Sequence, residues 1–65
     1  MSEASASHLR TLAADAQALQ QRLRDAVADL EGLTPTVSFQ LGEAFAEIGS
    51  AARTLEAAAG ESASA

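Results

Sequence analysis

The chain has 65 residues, with 4 Lys+Arg against 9 Asp+Glu and neither Cys, Trp nor Tyr. That length allows one small domain, the missing cysteine excludes disulfides and thiolate zinc sites, and a formal charge of −5 without any lysine is a poor footprint for nucleic acid or anionic lipid. The hydrophobic fraction of 48% is largely alanine, which favours helix strongly but buries little area per residue.

Residues 1–7 read M-S-E-A-S-A-S, small and polar side chains that predict a flexible N-terminal tail. No basic segment followed by an apolar stretch stands there, and no apolar run anywhere is long enough to span a bilayer. The expected location is the cytoplasm, with export by a non-classical route left open.

A first helix is expected over residues 8–31. Leu9, Leu12, Ala16, Leu19, Leu23, Ala26, Leu30 and Leu33 follow one another at alternating spacings of three and four, an unbroken heptad pattern. Residues 32–34 form the expected turn: Gly32 tolerates a left-handed backbone, and Thr34-Pro35 can cap and open a second helix. That helix is expected over residues 35–59, with Val37, Leu41, Ala44, Ile48, Ala51, Leu55 and Ala58 repeating the same period, flanked by Phe45 and Ala52. Residues 60–65, G-E-S-A-S-A, repeat the composition of the start and are expected to form a flexible C-terminal tail.

The fold class read from this pattern is all-α: an antiparallel two-helix hairpin with arms of matched length, which a short connection enforces. Each arm is apolar over a stripe wider than one seam, because Ala13, Val27, Phe45 and Ala52 broaden it. Dimerisation into a four-helix bundle would cover the remainder. The residues expected at that oligomer interface are Leu12, Ala16, Leu19, Leu23, Ala26, Leu30, Leu41, Phe45, Ile48 and Leu55. A candidate partner surface is drawn separately by Phe39, Gly42, Ala46 and Gly49, a smooth strip away from the main seam with one aromatic ring beside it. Asp15, Arg22 and Asp29 lie on one flank of the first heptad and Glu47 on the corresponding flank of the second, where opposite charges would select pairing register.

Little in the chain suggests catalysis, and no cofactor or metal is expected. His8 is the single imidazole, at the start of the first helix with no thiol to activate. Glu43 and Glu47 place two carboxylates one turn apart, but no Glu-x-x-His motif accompanies them as a bundle-core metal site requires. A small-ligand or metal-binding bundle would rest on that pair and the two phenylalanines alone. The four glycines, at 32, 42, 49 and 60, are scattered and form no phosphate-binding loop.

In length and Ala/Leu layering the chain is similar to plasmid RNA-binding Rop-type bundles, but those need a basic face, and the second arm here sets Glu43, Glu47, Glu56 and Glu61 against Arg53. A hairpin with glycine near its turn also resembles exported WXG100-type proteins, which pair with a related hairpin. Here Leu30-Glu31-Gly32 stands at that place, Trp is absent, no tyrosine-based C-terminal signal follows and the chain is shorter. Membership of neither family follows. The function expected is a non-enzymatic protein-protein interaction or assembly module that pairs with itself or another helical protein, as a homodimer first of all. The alternative is a WXG100-like secreted or chaperoned hairpin that pairs with a related partner.

Overall fold

Alanine and serine carry both helices past the limits that apolar periodicity sets. In a computed structural model of the chain, which describes residues 3–64, α1 spans Glu3–Ala28 and α2 spans Pro35–Ser64, and the two lie antiparallel as a hairpin. The helix bounds differ from the expected ones: residues 3–7 and 60–64, expected as tail, are helical, while Met1, Ser2 and Ala65 lie outside the described residues. High alanine propensity is one cause. The other is tertiary, since Ala6 is fully buried and Ala59 and Ser62 nearly so. The Ser62 hydroxyl is satisfied by donating to the Ala58 carbonyl at 2.9 Å, which lets it sit in the seam.

α1 ends three residues before the expected limit. After Ala28 the chain tightens, with Asp29 N donating to Ala26 O and Leu30 N to Val27 O, each at 3.1 Å. Gly32 has φ +68 and lies out in the connection, so its left-handed backbone reverses the loop instead of capping the helix. The start of α2 is as the sequence predicts. Thr34 Oγ1 accepts from Val37 N at 3.2 Å, the Thr34 carbonyl accepts from Ser38 N at 2.9 Å, and Pro35 occupies the first helical position.

The seam between the helices differs from the expected one by one column. In α1 the column Leu9, Ala16, Leu23 is flanked by apolar positions on both sides, and the structure seats it together with Ala6, Ala13, Gln20 and Val27. In α2 the column Leu41, Ile48, Leu55, Ser62 is seated with Phe45, Ala52 and Ala59. The other flank was the expected one. Of it, Leu12, Leu19, Ala26, Leu30, Val37 and Ala51 are exposed and Ala44 and Ala58 only half-buried.

Two heptads sharing one column are equally periodic, so spacing cannot choose between them. Side-chain size can: Ala6, Ala13, Ala52 and Ala59 allow close approach of the backbones, whereas a seam of Leu12 and Leu19 would hold them apart. Two hydrogen bonds set the register. Gln17 Nε2 donates to Glu56 Oε1 and Gln20 Nε2 to the Phe45 carbonyl, both at 3.0 Å. Ala13 then falls in height between Ala52 and Ala59, and Ala6 close to Ser62.

The Cα positions extend 49 × 17 × 9 Å. Nine ångströms is one helix thick, so both broad faces of the hairpin are bare. Its buried hydrophobic residues are all alanines, and every described Leu, Ile, Val and Phe keeps some exposure.

Candidate interaction surface

The unused flanks of the two helices fall on the same side of the hairpin. Side-chain columns advance in the same rotational sense along each helix, and reversing one helix mirrors that sense, so corresponding columns of antiparallel partners emerge on one face. The opposite face is marked by the Gln17–Glu56 hydrogen bond and by a cleft of about 340 Å³ near the turn, lined in part by Arg24 and Gly42. The first face therefore carries Leu12, Leu19 and Ala26 from α1 beside Val37, Ala44, Ala51 and Ala58 from α2. Leu12 is 40%, Leu19 49% and Val37 39% exposed, so large apolar side chains recur along this face.

The ten residues expected at an oligomer interface divide in the structure. Leu12, Leu19 and Ala26 stand on this open face and Leu30 is exposed in the connection after α1, whereas Ala16, Leu23, Leu41, Phe45, Ile48 and Leu55 are half-buried in or beside the hairpin's own seam. The expected smooth strip does not stay whole. Phe39 is 69% exposed, and Gly42 and Ala46 are exposed, but Gly49 is buried. A β-carbon built on Gly49 would lie 2.5 Å from Gln20 Nε2, so the glycine makes room for the amide that reaches the Phe45 carbonyl. Gly49 is a packing residue and leaves the candidate partner surface.

Sequence reasoning passed over Gln20 because it is polar. The available signal was a glutamine at a heptad position together with a glycine in the interior of the other helix. Val37, Ala44, Ala51 and Ala58 were assigned to the seam and instead widen the open face.

Charge borders that face on both sides. His8, Asp15 and Arg22 follow at intervals of seven along α1, with Asp29 in the turn just past its end, and Gln40, Glu47, Thr54 and Glu61 along α2. The ion pair between Arg10 and Glu3, at 3.4 Å, is the one found among the described residues, and it leaves Arg22 and Glu47 without a charged partner. Glu43 and Glu47 are exposed, as is His8, and no three His, Asp or Glu side chains among the described residues are grouped to hold a metal ion. No described helix is long and apolar enough to cross a membrane. No family model matches the chain, nor does any curated protein or solved structure.

Proposed function

We propose that the chain is a non-enzymatic assembly module, a helical hairpin whose work is to bind a second copy of itself through the open Leu/Ala face. One observation carries this reading: among the described residues the only hydrophobic side chains that a layer one helix thick buries are alanines, leaving every larger one partly in water. Small domains without disulfides or metals gain stability mainly by packing more apolar area, and here Leu12, Leu19 and Val37 offer such area on one surface. Stacking two hairpins would cover it and yield a four-helix bundle.

Light scattering coupled to size-exclusion chromatography at micromolar concentration tests the proposal. A mass twice that of the 6.6 kDa chain is expected. A monomer that melts cooperatively would overturn it.

A further inference from the structure

The open face is not uniform: away from the turn α1 contributes Leu12 and Leu19 and α2 the alanines at 44, 51 and 58, while nearer the turn the sizes reverse, with Ala26 on α1 and Val37 on α2. We infer that two copies stack about a two-fold axis parallel to the helices, so that α1 of each crosses onto α2 of the other and all the turns lie at the same end. This rests on the self-association proposed above and specifies its geometry.

Two face-to-face stackings of a hairpin are symmetric. In one, with the axis across the helices, α1 meets α1 and α2 meets α2. Leucine then faces leucine in one seam and alanine faces alanine in the other. Helix separation follows side-chain size, running from about 8 to about 10 Å, so the two seams would demand different spacings and the layers would splay. In the other, with the axis along the helices, both new seams are identical by symmetry and each sets large residues against small ones.

Register supports the second arrangement. A two-fold axis along the helices keeps every residue at its own height, and the Gln17–Glu56 and Gln20–Phe45 hydrogen bonds say which heights correspond. Leu12 of one copy then falls between Ala51 and Ala58 of the other, and Leu19 between Ala44 and Ala51, knobs over holes. The same heights bring the charged borders together. Arg22 comes level with Glu47, His8 with Glu61 and Asp15 with Thr54. Along this border no like charges meet, and Arg22 and Glu47, unpaired within the hairpin, supply opposite charge to each other across the interface.

The chain has no cysteine, so a single Glu31→Cys variant carries one spin label in the exposed loop. Light scattering on the labelled protein reads self-association, and pulsed dipolar spectroscopy reads the arrangement. The result expected is a dimer with a label separation on the order of 20 Å, two layers about 10 Å apart plus the label arms. A dimer with labels separated by about the 49 Å length of the hairpin would overturn the inference while leaving self-association intact. A monomer would overturn both.

A charge exchange gives an independent reading. Arg22→Glu and Glu47→Arg should each weaken the dimer by roughly 2–30-fold through the two symmetry-related pairs, and the double variant should recover it. Loss without recovery in the double variant, with recovery in Arg22→Asp combined with Asp15→Arg, would point to the α1-on-α1 stacking instead.

Discussion

Gly42 and Gly49 stand two turns apart in one helix, yet alanine should do different things at each. A β-carbon at Gly42 meets nothing within 4 Å, so Gly42→Ala should stabilise the protein by about 1 kcal/mol through helix propensity alone. At Gly49 the same gain is offset, because the methyl group displaces Gln20 and costs its hydrogen bond to Phe45 O, worth about 0.5–1.5 kcal/mol. Chemical denaturation should therefore find Gly49→Ala near neutral. In a Gln20→Ala background it should regain the stabilisation seen at Gly42, and equal gains at both sites in the native background would contradict the account. At Thr34, alanine removes the oxygen that receives Val37 N and should cost about 1 kcal/mol, whereas serine should retain most of the cap.

Between the two helices, close approach is possible only where the residues are small. Ala13 and Ala52 are each 1% exposed, and a leucine at Ala13 has no free volume to enter. Ala13→Leu should destabilise the hairpin by about 1–3 kcal/mol even though it adds apolar area, whereas Ala14→Leu, one residue away and exposed, should be tolerated. Thermal melts of the two variants compare them directly. The end of α2 supports the beginning of α1 in the same way. A chain ending at Ala59 loses Ser62 from beside Ala6, and amide exchange should accelerate about tenfold over the first two turns of α1 while the middle of the hairpin keeps its protection. Uniform protection in the shortened chain would show that the first turns hold by propensity alone.

For the molecule as a whole, the decisive property is thinness. A self-associating hairpin should melt at a temperature that rises with protein concentration, since the dimer is favoured over the unfolded monomer by mass action. Leu12→Gln combined with Leu19→Gln alters side chains already 40% and 49% exposed, so each should cost the isolated hairpin no more than about 0.5 kcal/mol. In the assembly the same pair of changes should abolish the concentration dependence. Calorimetry across a hundredfold range of concentration would decide, and an unchanged dependence in the variant would place the interface elsewhere.

What could be read in the residues was whatever depends on local chemistry. The repeat of three and four names two helices, Thr34-Pro35 marks where the second begins, and the short connection makes them antiparallel, because propensity, capping and chain reach act over a few residues. The seam needed the tertiary structure. Leu12 and Ala13 are neighbours that satisfy two overlapping heptads equally well, and only the opposing helix, through its alanines at 52 and 59 and the space that Gly49 leaves for Gln20, selects which column turns inward. The helical ends were hidden for a related reason: Ala6 and Ser62 read as tail until both are seen to be buried in the hairpin. Periodicity is a property of one helix, whereas the choice of face belongs to the pair.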